Sequence, residues 1–179
     1  MLRREVAGDL AEVGVWRGGA GIMMRAVLRA LGDSRRKVWL LDSFPGLPRP
    51  DSQQYPADQN DQHWTIHELA VSVGTVKQNF ERYGLLDDQD RFLVGWFRDT
   101  LPDSPIKKIA LLHLDCDMYE STILALRHLY PKLSQGGYLI VDDYGALSGC
   151  RQAVTDFRHE FQIEAELREI DWTGVFWQV

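Results

Sequence analysis

Cysteine is scarce in this sequence, with only 2 among 179 residues. Cys116 and Cys150 lie far apart in the chain, and no Cys-x-x-Cys spacing occurs. Disulfide-stabilised small folds and zinc ribbons need more cysteines or closer pairs, so both classes are excluded. Such sparing use of cysteine is typical of proteins in a reducing compartment, and we predict a cytoplasmic location.

Long apolar segments and an excess of basic charge are also missing. No unbroken apolar run exceeds four residues, as at 109–112, whereas a membrane-spanning helix needs ~20. The basic start at residues 1–5 is not followed by an apolar region, so we expect no secretory signal. The net charge of −6 lacks the basic footprint of nucleic-acid binding. These absences favour a small or metal-bound ligand and exclude a membrane or nucleic-acid partner.

Short apolar runs alternate with longer amphipathic stretches along the chain. This alternation predicts one α/β domain over residues 1–179, built on a mostly parallel sheet. Seven segments have the pattern of strands, at residues 10–15, 38–42, 91–94, 109–115, 138–142, 163–170 and 174–178. Four have apolar residues at helical spacing, at residues 20–31, 66–83, 121–133 and 152–161. Gly32, Gly84 and the pair Gly136-Gly137 are predicted to end three of these helices.

Two regions depart from this alternation. No helix separates the last two strands, which predicts an antiparallel hairpin at one sheet edge, with a turn at residues 171–173. We expect Trp172 and Trp177 to pack in the core or in this hairpin. Residues 44–64 are rich in proline, aspartate and glutamine. They are predicted to form a long irregular loop, and such loops in compact domains are usually functional or disordered.

A glycine-rich turn follows the first predicted strand. Gly14, Gly18 and Gly19 lie where the backbone can approach a ligand and a helix start offers N–H groups to an anion. The spacing is not G-x-G-x-x-G, so a ligand with a carboxylate and an ammonium group fits better than a dinucleotide. Glu12 would be the counter-charge to that ammonium. A tight turn without a ligand is the alternative.

Two further positions at the same sheet edge suit parts of a nucleoside. Asp42 ends the second strand about 30 residues after Glu12, where a carboxylate can accept hydrogen bonds from a ribose. It is also typical of a loop cap. Trp96 and Phe97 follow the third strand, where they would either hold a flat base or pack in the core.

Pairs of aspartates follow two strongly apolar strands. Asp115 and Asp117 come after the fourth strand, and Asp142 and Asp143 after the fifth. Because ligand sites of open α/β sheets lie at the carboxyl ends of the strands, we expect the four carboxylates to converge. All-oxygen ligands favour Mg²⁺, Mn²⁺ or Ca²⁺ over zinc. Solvated caps at the strand ends are the alternative.

Five motifs, in order along nearly the whole chain, resemble the macrocin O-methyltransferase family. They are EVGVWRGG at 12–19, DSFPGLP at 42–48, GWFRDTLP at 95–102, LDCDMYES at 114–121 and VDDYG at 141–145. The resemblance implies a Rossmann-like fold that uses S-adenosylmethionine and Mg²⁺ to methylate a sugar hydroxyl of a glycosylated natural product. Antibiotics are such products. We expect a small glycoside substrate and a homo-oligomer.

Roles for individual residues follow from the resemblance by motif position. It implies that Asp115, Asp142 and Asp143 bind the metal and that Asp117 is the general base. It puts Glu12 and Gly14 at the methionine part of the cofactor. The expected cofactor-binding set is Glu12, Gly14, Gly18, Gly19, Asp42, Ser43, Gly95, Trp96, Phe97 and Asp115.

Two other functions compete with this one. Family members usually have helices before the first strand that help to cover the active site, whereas residues 1–8 alone precede it here. A domain without this cover would bind S-adenosylmethionine or a partner without turnover. The segment LHLDCD at 112–117, with Asp142 and Asp143, also resembles the strand-end motif of haloacid dehalogenase phosphatases. That motif normally opens its domain, whereas strands precede it here.

Overall fold

A computed structural model describes residues 6–179, which form a seven-stranded sheet with strand order β3-β2-β1-β4-β5-β7-β6. The strands are β1 (Asp9–Val13), β2 (Val38–Asp42), β3 (Asp90–Val94), β4 (Ile109–Leu114), β5 (Leu133–Val141), β6 (Arg168–Glu169) and β7 (Val175–Gln178). The helices are α1 (Gly19–Ala30), α2 (Val73–Arg82), α3 (Phe97–Thr100), α4 (Tyr119–Leu129) and α5 (Ser148–Glu160). The mostly parallel α/β sheet predicted from the sequence is therefore confirmed.

Both faces of the sheet carry an apolar core. Successive strand residues point to opposite faces, so Leu10 packs in one cluster with residues of α1 and α2, while Ala11 packs in the other with residues of α4 and α5. Burial on both faces explains why the central strands are mostly apolar, with Glu12 of β1 and His113 of β4 as exceptions. The sheet is thereby held rigidly between two helical layers, and its strand ends form a fixed platform.

The register of the central strands aligns their carboxyl ends. Val13 of β1 pairs with Leu41 of β2 and with Leu114 of β4, and Leu114 pairs with Val141 of β5, all in parallel. The residue that follows each of these four positions therefore lies at one edge of the sheet. Those four residues are Gly14, Asp42, Asp115 and Asp142.

The antiparallel edge is confirmed, but its outer strand is much shorter than predicted. β7 pairs antiparallel with β5 and with β6, and β6 contains only Arg168–Glu169 instead of residues 163–170. The side chains of Ile163, Ala165 and Leu167 pack against the core without strand pairing. The alternation of these apolar residues therefore reflects burial of their side chains. It does not reflect pairing of their backbone in a sheet, and the prediction of a strand over residues 163–170 is wrong for this reason.

The two tryptophans of this edge have different surroundings. Trp177 of β7 is fully buried, as expected, whereas the side chain of Trp172 in the β6–β7 turn is 83% exposed. The prediction that Trp172 packs in the core or hairpin is wrong. The turn residues Asp171 and Thr173 are hydrogen-bonded to each other, so the turn keeps its shape without help from the indole.

Two predicted helix ends are also wrong. The helix expected from residue 66 begins at Val73, after Ser72, whose hydroxyl accepts the N–H of Thr75 at 3.1 Å. Serine caps a helix start because it satisfies a free N–H group. Gly136 and Gly137 do not end a helix but lie inside β5. Between its pairs at Leu133 and Tyr138 this strand has a bulge, and glycine tolerates the positive φ required there.

The irregular loop predicted at residues 44–64 is confirmed, and it extends to the start of α2. We call residues 43–72 the β2–α2 loop. It contains only short 3₁₀ turns, at Pro56–Asp58, His63–Thr65 and His67–Leu69. Within residues 6–179, none of the helices combines the length and the apolar character that crossing a bilayer requires.

Candidate active site

An open cleft runs along the carboxyl edge of the sheet, from the end of β3 to the end of β4. Its walls come from the β1–α1 turn, the β2–α2 loop and the start of α4. The lining residues include Gly14, Trp16, Asp42, Ser43, Gly95, Trp96, Phe97, Asp115, Asp117 and Glu120. The cleft therefore brings together most of the sequence-predicted cofactor set.

Backbone geometry explains the glycines of the β1–α1 turn. Gly14 has φ of 84°, and a Cβ built on it would lie 1.7 Å from the carbonyl oxygen of Asp115. Gly18 also has positive φ, and a Cβ there would lie 2.9 Å from side-chain atoms of Phe80 and Val76. Gly19 has open space around it. Gly18 and Gly19 are not among the residues that line the cleft.

Glu12 lies beneath this turn and outside the cleft lining. It is only 2% exposed, and its Oε2 atom has no hydrogen-bond partner within residues 6–179. Burial raises the pKa of Glu12 to about 8, although the N–H groups of Gly21 and Ala20 favour its charged form. A buried carboxyl without a full set of partners is held largely in its neutral form, and a positively charged group bound close to the turn would favour its ionisation.

Asp42 connects two loops at the end of β2. Its Oδ2 atom accepts the N–H of Val15 at 2.6 Å, and its Oδ1 atom accepts the N–H of Phe44 at 2.7 Å. Asp42 also lines the cleft beside Ser43, whose hydroxyl donates to the carbonyl of Gly46. The loop-cap interpretation is therefore confirmed, and a role towards a ligand is compatible with it.

The end of β3 supplies the aromatic part of the cleft. Gly95 follows the strand with φ of 142°, and its N–H donates to the carbonyl of Asp42 at 3.0 Å. Trp96 and Phe97 follow at the start of α3 and line the cleft. Both aromatic residues therefore line the same cleft as Asp42.

Three carboxylates converge at Asp115, which lines the cleft, although Asp142 and Asp143 are not among the lining residues. One oxygen each of Asp115, Asp142 and Asp143 lies within 4.8 Å of the others. Burial and then the charges of Asp143 and Asp142 raise the pKa of Asp115 to about 8. Burial also raises the pKa of Asp143. Such a group of acidic oxygens fits a hard divalent ion.

Asp117 adjoins this group in a strained backbone conformation. Its φ of 58° is in the left-handed region, and its N–H donates to Oδ2 of Asp143 at 3.0 Å. Burial, followed by the charge of Asp143, raises the pKa of Asp117 to about 6. The structure thus joins all four predicted aspartates into one cluster.

No role was predicted from the sequence for His63, Glu120 or Arg98, which lie at this site. His63 is close enough for its charge to act on Asp117 and Asp143, and its Nδ1 atom lies 2.8 Å from Oδ2 of Asp61. Glu120 is buried in the cleft wall, where Arg98 contacts its Oε1 atom at 3.3 Å. The composition of residues 44–64 indicated a loop that is functional or disordered, but no periodic pattern identified His63 within it.

The chain is similar to known O-methyltransferases. A family model described as macrocin-O-methyltransferase (TylF) matches residues 1–179. The chain is 53% identical over 177 residues to 8-demethyl-8-(2,3-dimethoxy-alpha-L-rhamnosyl)-tetracenomycin-C 4'-O-methyltransferase of Streptomyces olivaceus, covering 97% of this chain and 66% of that protein. It is 50% identical over 182 residues to demethyldecarbamoylnovobiocin O-methyltransferase of Streptomyces niveus, covering 99% and 68%. The chain thus spans about two thirds of the length of these relatives.

Solved structures agree with this result. The O-methyltransferase NovP superposes with a TM-score of 0.97 at 49% identity, covering 99% of this chain and 74% of that one. The calicheamicin methyltransferase CalS11 superposes with a TM-score of 0.78 at 21% identity, covering 97% and 73%. At that identity the second likeness concerns the fold alone.

Proposed function

The chain belongs to the macrocin O-methyltransferase family, and on this basis we propose that it transfers a methyl group from S-adenosylmethionine to a sugar hydroxyl of a glycosylated natural product, using a bound divalent cation. The names of the relatives, which include a rhamnosyl-tetracenomycin and a novobiocin methyltransferase, support this acceptor class. The observation that carries the metal dependence is the group of three acidic oxygens within 4.8 Å at the end of the cleft.

The cofactor would bind along the cleft from the β1–α1 turn to α3. Glu12 and Gly14 would face its methionine part, with Gly18 and Gly19 forming the turn and Asp115 beside it. Asp42 would accept one hydrogen bond from the ribose at its remaining acceptor position. Its carboxylate has about four acceptor positions, and the N–H groups of Val15, Trp16 and Phe44 take three of them. Ser43 adds a hydroxyl, and Gly95, Trp96 and Phe97 would surround the adenine.

The metal would be Mg²⁺ or a similar hard cation, held by Asp115, Asp142 and Asp143. The raised pKa of Asp115 reflects burial together with unbalanced negative charge, which a divalent cation would neutralise. A cation bound there would lower the pKa of a hydroxyl in contact with it and fix the orientation of the sugar.

Asp117 would act as the general base. S-adenosylmethionine would supply the methyl group and its sulfur would keep the electron pair of the broken bond, while Asp117 would take the proton from the acceptor hydroxyl as its oxygen bonds to the methyl carbon. General-base catalysis typically contributes about 10²–10⁴-fold. The hydrogen bond from the Asp117 N–H to Asp143 would keep the base at a fixed position beside the metal ligands.

The test combines methyl transfer with direct binding measurements. We expect S-adenosylmethionine to bind in calorimetry, and methyl transfer to glycosides such as the acceptors of the relatives, followed by mass spectrometry, to require Mg²⁺. Asp115→Asn and Asp142→Asn should each lower turnover by at least about 100-fold, because a metal ligand is lost. Asp51→Asn is the matched control, since its carboxylate accepts only N–H groups of its own loop.

Three outcomes would count against this function. Unchanged turnover in both variants, or full activity in EDTA, would exclude the metal-dependent mechanism. Cofactor binding without any methylated product would favour the catalytically silent binding domain. Phosphatase activity that required Asp115 would favour the haloacid-dehalogenase alternative, although the relatives named above are all O-methyltransferases.

We propose that residues 1–179 act as one catalytic domain, and we predict a homo-oligomer in the cytoplasm. Size-exclusion chromatography with light scattering measures the subunit number directly. A monomer at micromolar concentration would contradict the homo-oligomer.

A further inference from the structure

A buried carboxylate of the β2–α2 loop holds the start of helix α4. Asp58 is only 1% exposed. Its Oδ1 atom accepts the N–H of Tyr119 at 2.7 Å, and its Oδ2 atom accepts the N–H of Glu120 at 2.9 Å. N–H groups in the first turn of a helix have no partner within the helix and need an external acceptor. The preceding residue, Met118, makes no side-chain capping bond, so this cap comes from a loop 61 residues away.

The capped turn directly follows the strained segment of the site. Asp117 has φ of 58°, a conformation that costs a non-glycine residue about 1–3 kcal/mol and persists only when its surroundings hold it. On one side it is held by the hydrogen bond from its N–H to Asp143. On the other side it is held by α4, whose first N–H groups bind Asp58. A shift of that helix start would therefore move Asp117 and release Asp143.

Helix α5 closes the same junction from a third direction. A Cβ built on Gly149 would lie 3.1 Å from Oδ1 of Asp58 and 3.2 Å from the N atom of Tyr119. Gly149 belongs to the first turn of α5, which begins five residues after Asp143. Asp58 thus lies where the β2–α2 loop, α4 and α5 meet, and the two helices follow the two acidic segments of the site.

The chemistry of the side chain matters as well as its shape. A carboxylate has only acceptor atoms and can accept from both helix N–H groups, whereas an asparagine amide has one acceptor and one donor group. Burial raises the pKa of Asp58, while the N–H groups of Glu120 and Tyr119 favour its charged form. Burial and the charge of Asp61 both disfavour a charged Asp58, and the two hydrogen bonds from the helix start offset this cost.

We propose that Asp58 is a positioning residue that sets Asp117 and Asp143 in place by holding the first turn of α4 to the β2–α2 loop. Its catalytic consequence rests on the function proposed above. Asp58 touches neither cofactor nor acceptor in this role, and it acts only through the helix start. The β2–α2 loop, which also carries His63, is thereby coupled to the geometry of the carboxylate cluster.

The experiment compares Asp58→Asn and Asp58→Ala with the control Asp51→Asn in the full chain. We expect kcat for methyl transfer to fall about 10-fold in the asparagine variant and about 100-fold in the alanine variant, as for other residues that orient metal ligands. KM for S-adenosylmethionine should stay within twofold. Mn²⁺ affinity, measured by calorimetry, should fall in the same order. The ¹⁵N–¹H resonance of Asp117 should move in both Asp58 variants and stay in the control.

These readouts separate positioning from simple stabilisation. A folded Asp58→Asn protein with unchanged kcat, Mn²⁺ affinity and Asp117 resonance would overturn the proposal, even if its melting temperature fell. If the alanine variant does not fold, the asparagine variant alone decides. If the wild type methylates no acceptor, the proposed function fails, and the Asp117 resonance and Mn²⁺ affinity still test the role of Asp58.

Discussion

Two carboxyl groups at this site have pKa values well above those of the same groups in water. Burial raises the pKa of Glu12 and of Asp115 to about 8 for each. Because these groups bind protons more tightly in the folded chain than in the unfolded chain, they link folding stability to pH. These carboxyl groups can be ionised at neutral pH only if a positive charge is close. We expect the ammonium group of the cofactor to provide it for Glu12 and the metal to provide it for Asp115.

Glu12→Gln tests this linkage at a residue that is not an expected metal ligand. With an unfolded pKa of 4.5 and a folded pKa of about 8, the contribution of Glu12 to stability is fully present below pH 4.5 and is lost as pH rises through 8. The unfolding free energy of the cofactor-free wild type should therefore fall more steeply between pH 5 and about 8.5 than that of the variant. Urea unfolding at both pH values measures this, and equal slopes would contradict the assignment.

The types and positions of single residues in the sequence predicted the site only in part. Asp115, Asp117, Asp142 and Asp143 were identifiable because each follows an apolar strand, and strands of one parallel sheet end at one edge. The contribution of Asp58 could not be identified in this way. It lies in a loop without periodicity, and its partners are 61 and 62 residues away.

Among the structural elements, the β1–α1 turn has the strictest steric requirement. Gly14 combines positive φ with a backbone contact that leaves no room for a Cβ. The contact is to the carbonyl of Asp115, so the turn and the first acidic segment are packed directly on each other. A side chain at this position would therefore disturb both the cofactor end and the metal end of the cleft.

Gly14→Ala should accordingly destabilise the fold and abolish cofactor binding. Strain at such a backbone position costs about 1–3 kcal/mol, which lowers the melting temperature of a chain of this size by roughly 2–12 °C. Gly19→Ala is the control, because a Cβ there meets nothing within 4 Å. Its melting temperature should stay equal or rise slightly, since alanine favours helix over glycine. Scanning calorimetry measures both, and equal effects of the two substitutions would contradict this interpretation.

Helices and strands begin and end where the local sequence indicates when interactions between neighbouring residues determine the boundary. Ser72 starts α2 through its own hydroxyl, and the central strands lie where their apolar runs predicted. β6 and the bulge of β5 depend on pairing with distant chain segments. No local pattern contains that information, and the predictions for residues 163–170 and for Gly136-Gly137 failed for this reason.

For the molecule as a whole, the aspartate cluster concentrates negative charge in a chain that already carries a net charge of −6. Self-repulsion of this kind destabilises a compact state. A ligand that binds only the folded chain and removes the repulsion stabilises it by mass action. Folding and occupation of the proposed metal site are therefore coupled.

Mg²⁺ should raise the melting temperature more at pH 8 than at pH 5. At pH 5 Asp115, whose folded pKa is about 8, is almost fully protonated, whereas at pH 8 about half of it is ionised and protons compete much less with the metal. At a concentration of about 100 times the dissociation constant, the stabilisation is about 2.7 kcal/mol, or roughly 5–11 °C. Differential scanning fluorimetry with and without EDTA measures it, and Asp142→Asn should abolish it. An equal rise at both pH values, or none, would contradict the site.

The sequence by itself determined the α/β class, the parallel centre of the sheet, its antiparallel edge and the acidic strand ends of the cleft. Each of these follows from patterns within a few residues and from the rule that parallel strands share a ligand edge. The five motifs also identified the family, which the match over residues 1–179 confirms.

Tertiary structure alone decided which loop residues join the aspartate cluster. His63 approaches it and Asp58 caps α4 because the β2–α2 loop folds back over the sheet edge, a path that no periodic pattern encodes. The exposure of Trp172 was decided at the same level, by packing at the edge of the sheet. The physical reason is that long-range contacts depend on how distant segments meet, whereas helix and strand signals depend on spacing within one segment.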